Sequence, residues 1–119
     1  MADEILVNGT RTYAVGRRST VYLTVTIGDG QVGGSSVLWK GEIIGEGVIQ
    51  KLKIGGPGEK LRFKTFRCST RVKDINPSTN RTSVTHNLSG GQKEREFLFA
   101  ADVTSEGGYA TYSITFVFV

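Results

Sequence analysis

Apolar and polar residues alternate along several segments of this chain. The clearest case spans residues 20–27, where Val21, Leu23, Val25 and Ile27 share one face. The last segment, 110–118, alternates in the same way and places three aromatic residues on its apolar face. Because side chains of a strand point to opposite faces in turn, this period of two predicts strands that are buried on one side.

Shorter segments with the same character lie between these two. They span residues 37–39, 42–44, 48–54, 59–68, 83–88 and 94–103. Glycine-rich turns separate them at 28–30, 55–58, 90–91 and 107–108. Strands at intervals of about 8–12 residues, with turns between them, are typical of β-sandwiches and barrels. We therefore expect an all-β fold, an antiparallel two-sheet β-sandwich of immunoglobulin-like or jelly-roll type with seven to nine strands.

Composition supports strands over helices. The chain has 16 glycines, 12 valines and 13 threonines but five alanines. Val and Thr favour a pleated surface, whereas Ala is the best helix former. At 119 residues the chain has the usual length of one domain, so we expect a single sandwich over residues 1–119.

The residues that usually carry catalysis or bind metals are scarce. There is one cysteine, Cys68, and one histidine, His86, far apart in the sequence. A zinc site needs several such ligands at short spacing, and a nucleophilic triad needs a base and a group that orients it. We expect no enzymatic activity, no metal site and no cofactor.

Positive charge is concentrated in one part of the chain. Residues 59–81 contain seven basic and two acidic residues, whereas the formal net charge of the whole chain is +4. In the segment 59–68 the alternation predicts Leu61, Phe63 and Thr65 on the inner face, with Phe66 breaking the order and leaving the core. The outward basic stripe would comprise Lys60, Arg62, Lys64, Arg67, Arg71 and Lys73. Such a stripe suits a phosphate backbone or a sulfated glycan, although edge strands also carry Lys and Arg to block unwanted pairing.

The end of the chain is apolar. No charged residue follows Glu106, and the segment 112–119 is rich in aromatic and β-branched residues. An exposed edge strand of this kind would aggregate. The segment is therefore expected to be a central strand, or else to be covered by a partner.

Three functions remain open at this stage. The first is a non-enzymatic interaction or assembly module, which binds a protein partner or self-associates. The second is a module for polyanions, either nucleic acid or an acidic glycan, that uses the basic stripe. The third is a carbohydrate-binding module with Trp39 or Tyr22 as a stacking platform.

The sequence says little about compartment. The acidic start, followed by only three apolar residues, is not a signal-peptide pattern, and no apolar run has the length of a membrane span. The single cysteine slightly favours a reducing, cytoplasmic environment.

Overall fold

The computed structural model describes residues 4–119, which form nine strands and one short helix. In chain order these are β1 (Glu4–Tyr13), β2 (Val21–Ile27), β3 (Val32–Trp39), β4 (Glu42–Gly47), β5 (Leu52–Gly55), α1 (Gly58–Leu61), β6 (Thr65–Lys73), β7 (Arg81–Ser89), β8 (Arg95–Asp102) and β9 (Tyr109–Phe118). The all-β prediction is confirmed.

The strands form two sheets. One has five strands in the order β1-β9-β6-β3-β4, and the other has four in the order β5-β2-β7-β8. Every pairing is antiparallel except that of β1 with β9, which is parallel. In the immunoglobulin order the last two strands are neighbours, whereas here β8 and β9 lie in different sheets.

The core lies between the two sheets and follows the predicted alternation. On β9 the buried face consists of Ala110, Tyr112, Ile114, Phe116 and Phe118, each fully buried. The strand β2 contributes Val21 and Leu23 from the opposite sheet. Both segments had the clearest period of two, and the predicted face is the inner one in both, although Val25 and Ile27 of β2 are only half-buried.

The final strand is central rather than exposed. The strand β9 pairs with β1 on one side and with β6 on the other. Its apolar segment therefore needs no partner molecule to cover its edges. Among the described residues, no helix has the length and apolar character needed to cross a membrane.

The prediction of one alternating strand over residues 59–68 was wrong. This region begins with α1, continues through a turn at 62–64, and becomes a strand only at Thr65. Phe63 is 80% exposed, whereas Phe66 is buried in the core in phase with Cys68 and Val72. The helical turn after Pro57 interrupts the alternation of inward and outward side chains. Leu61 is therefore buried as part of a helical turn and not on the inner face of a strand.

Two further boundaries differ from the sequence prediction. The strand β1 was not predicted, because its residues 8–12 are polar or glycine. Its extended conformation depends on the hydrogen-bonded pairing with β9. The predicted strand 48–54 begins only at Leu52, because residues 48–51 form the connection from one sheet to the other.

Candidate functional site

Charge is separated between the two ends of the sandwich. Four connections meet at one end, which we call the basic end: residues 14–20, 40–41, 56–64 and 90–94. They contain seven basic and two acidic residues. At the opposite end, the connections 28–31, 74–80 and 103–108 contain three acidic residues and no basic one.

The structure divides the predicted basic residues into two groups. Lys60 lies on α1, Arg62 and Lys64 lie in the turn that follows, and all three are exposed at the basic end. Arg67 lies close by, on the outer face of β6 between Leu38 and Thr115 of the neighbouring strands. The prediction that Lys60, Arg62 and Lys64 form an outward stripe on a strand was therefore wrong.

The other two predicted residues, Arg71 and Lys73, lie further along β6. Six residues of strand place Lys73 about 20 Å from Arg67. The Arg71 guanidinium lies 3.9 Å from the centre of the Tyr109 ring and 3.8 Å from a Glu4 carboxylate oxygen. Arg71 already has partners within the protein, so it is less available to a ligand than Arg67.

A groove at the basic end combines aromatic and cationic side chains. It has a volume of about 590 Å³, and its walls include Trp39, Lys40, Phe63, Lys64 and Arg67. Trp39, Lys40 and Lys64 also line an adjoining depression of about 400 Å³ that extends to α1. These two depressions form the candidate site, which we call the aromatic groove.

The β3–β4 hairpin positions Trp39 and Lys40. Trp39 and Glu42 are paired, and the two residues between them, Lys40 and Gly41, have φ of 52° and 78°. Two positive φ values in a two-residue hairpin are typical of a type I′ turn. The Trp39 ring packs edge-on against Phe118 at 6.2 Å, and the Lys40 Nζ lies 5.5 Å from the Trp39 ring.

Phe63 is presented to solvent by an unusual backbone. Its φ is 68°, a region in which a bulky residue is an outlier. Such a conformation costs about 1–3 kcal/mol. Two hydrogen bonds to the end of β9 hold it: Phe63 N–H donates to the Phe118 carbonyl at 2.7 Å, and Phe118 N–H donates to the Lys64 carbonyl at 2.9 Å.

The helix α1 fixes this turn against the rest of the basic end. A Cβ on Gly58 would collide with the carbonyl oxygen of Gly16, so only glycine allows the approach. Next to it, Glu59 N–H donates to the Arg17 carbonyl at 2.9 Å, and the Glu59 carboxylate pairs with the Arg17 guanidinium at 3.0 Å.

The cations of the aromatic groove have no acidic partner. Among residues 4–119 the ion pairs are Arg17–Glu59, Arg71–Glu4 and Arg81–Asp29. Lys40, Lys64 and Arg67 take part in none of them. Lys60 and Arg62 line the second depression and take part in no ion pair either, so five positive charges without an acidic partner lie around two aromatic rings.

The single cysteine, Cys68, and the single histidine, His86, lie in the core. Burial lowers the pKa of His86 to about 4 and raises the pKa of the Cys68 thiol to about 11. The Cys68 sulfur contacts Thr70, and the His86 ring contacts Phe99 and Phe116. Both groups are neutral near pH 7, and their environments are those of packed side chains.

A second cavity, of about 440 Å³, lies where β2 faces β3 and the 48–51 connection. Its lining contains no ionisable side chain and includes Val25, Ile27, Val32 and Ile49. Within the described chain, no group of three His, Cys, Asp or Glu residues is close enough to hold a metal ion. The lining of this cavity does not indicate a particular class of ligand.

Sequence reasoning identified Lys60, Arg62, Lys64 and Arg67 at this end but missed Lys40 and assigned Phe63 to the core. The Trp39-Lys40-Gly41 hairpin was a usable signal, because a lysine at the tip of a tight turn is exposed.

No family model matches the chain, and no curated protein and no solved structure shows a significant match to it.

Proposed function

We propose that this protein is a non-enzymatic binding module that takes a polyanion, such as nucleic acid or a sulfated glycan, at its basic end. The observation that carries the proposal is the aromatic groove, in which Lys40, Lys64 and Arg67 surround Trp39 and Phe63 without acidic partners. A chain of phosphates or sulfates would neutralise these charges and release its own counterions.

Edge protection does not account for Arg67. Lysine and arginine commonly guard the edge of a sheet against pairing with another chain. The strand β6 is central, because it lies between β9 and β3. A cation on the outer face of a central strand has no such protective role, which favours a binding function.

One of the reasons for expecting self-association does not apply. Self-association was expected partly because the apolar final strand would need a cover if it were at an edge. Since β9 lies between β1 and β6, that requirement disappears.

The proposal is tested by fluorescence anisotropy of labelled single-stranded DNA, duplex DNA and a heparin oligosaccharide. Titrations at about 50 and 200 mM salt measure the electrostatic part of binding. For about four phosphate contacts, binding to a single strand weakens about 50-fold over this range. Absence of binding to all three ligands at the lower salt concentration would contradict the proposal.

Two variants of one strand locate the surface. Arg67→Glu and Lys73→Glu change the charge equally and lie on the same outer face of β6. We expect Arg67→Glu to weaken binding about tenfold at low salt and Lys73→Glu to have little effect. Equal effects would mean that the ligand follows the whole outer face, and no effect of Arg67→Glu would exclude the aromatic groove.

A further inference from the structure

The ring of Phe63 faces solvent. Its side chain is 80% exposed, and none of the ring–ring or cation–ring contacts among the described residues involves it. Its left-handed backbone is nonetheless held by the two hydrogen bonds to β9. An aromatic ring on a fixed backbone, facing solvent, is a ready surface for a flat ligand group.

We infer that the ligand of the aromatic groove is a single-stranded nucleic acid, with an unstacked base on the Phe63 ring and its phosphates at Lys40, Lys64 and Arg67. This inference rests on the proposed function, which gives the site a polyanion. The inference specifies which class of polyanion the site binds. Single-strand binding surfaces combine a basic groove with aromatic side chains, because every base has a face that can stack.

The aromatic groove fits a single strand better than it fits a duplex. Trp39 and Phe63 line the same depression as Lys40, Lys64 and Arg67, so one ligand with both bases and phosphates could contact rings and cations together. A duplex hides the faces of its bases within its own stack, so it could use the cations but not the ring of Phe63. A sulfated glycan has the charges and can lay a sugar ring on an aromatic side chain, so the experiment below includes heparin as the direct competitor.

Trp39 gives a direct readout, because it is the only tryptophan in the chain. It lines the aromatic groove next to Lys40. Base stacking in the groove should therefore quench its fluorescence on addition of a single-stranded oligonucleotide. The experiment compares a thymidine 12-mer, an abasic oligonucleotide with the same number of phosphates, and a heparin oligosaccharide.

The key variants are Phe63→Ala and the conservative Phe63→Tyr, with Lys64→Glu as the charge control. We expect the wild type to bind the thymidine oligomer more tightly than the abasic one, by a factor of about 5 to 150 for one stacked base. Phe63→Ala should remove this difference and Phe63→Tyr should retain it, whereas Lys64→Glu should weaken both oligonucleotides alike. Thermal unfolding of each variant checks that the fold persists, as expected for an exposed side chain.

The outcomes separate this inference from the proposed function. If the thymidine and abasic oligomers bind equally, or if only heparin binds, stacking on Phe63 is refuted while the polyanion site stands. If none of the three ligands binds at low salt, the proposed function itself fails. Preference for the thymidine oligomer that is unchanged in Phe63→Ala would also overturn the inference, since the base would then be recognised elsewhere.

Discussion

His86 is fully buried on the inner face of β7, between the rings of Phe99 and Phe116. Neither ring nitrogen has a hydrogen-bond partner of good geometry, and burial lowers its pKa from 6.5 to about 4. The unfolded chain therefore binds more protons than the folded protein between these values. The free energy of unfolding is therefore not reduced by protonation of His86 above about pH 6.5, and it decreases as the pH falls toward 4.

The expected loss between pH 7 and pH 5 is about 2 kcal/mol of the free energy of unfolding. Urea denaturation at these two pH values measures it, since most carboxylates stay ionised at pH 5. The matched variant is His86→Leu, which has no titrating group at this position and should show a much smaller change. If the wild type and His86→Leu lose stability equally, His86 is not the cause.

At the scale of elements, α1 and the turn after it build the aromatic groove. Gly58 packs against the carbonyl of Gly16 so closely that a Cβ would collide with backbone, which cannot move aside as a side chain could. Gly58→Ala should therefore lower the free energy of unfolding by about 1–3 kcal/mol. It should also weaken polyanion binding, because Phe63 and Lys64 follow directly in the chain.

Gly34→Ala is the control for this prediction. Gly34 lies in β3, and a Cβ there would be 3.7 Å from its nearest neighbour, which is ordinary contact. Neither glycine has positive φ, so the two variants differ mainly in the space available. We expect urea denaturation to show little change for Gly34→Ala. Equal stability of the two variants would mean that α1 can shift without cost.

The same elements show which parts of the structure could be predicted. Strands β2 and β9 were clear, because the period of two in the sequence is unbroken; β9 buries one face along its whole length and β2 along its first half. The region 59–68 was misassigned because one helical turn joins two sheets, and a short turn leaves no periodicity of its own. Phe63 then appeared in phase with Leu61, although the two lie in different local structures.

The candidate site was only partly predictable for a related reason. The local excess of basic residues is visible in the sequence, because basic and acidic residues can be counted without knowing the fold. The position of Lys40 beside Lys64 depends on the pairing of β3 with β6, which brings Trp39 opposite Phe66. Contacts between residues 24 or more positions apart follow from the strand order, and alternation alone does not determine that order.

For the whole molecule, the position of the charged residues matters more than the net charge. The protein has a formal net charge of +4, yet the connections of the basic end are strongly positive and those of the opposite end are acidic. A polyanion meeting such a molecule is attracted mainly to one end, because a local patch produces the potential that it experiences at short range. Debye screening over about 8–10 Å at physiological salt removes most of the effect of distant charges.

Two double variants with the same net charge test this view. Lys60→Glu with Lys64→Glu alters the basic end, whereas Lys51→Glu with Lys73→Glu alters exposed positions elsewhere. Both pairs lower the formal charge equally, so any difference between them comes from location. On a phosphocellulose column the first double variant should elute at clearly lower salt than the second, which should stay near the wild type because the end that meets the resin is unchanged. Equal shifts would show that the protein binds polyanions through its net charge, and the aromatic groove would then lose its electrostatic basis.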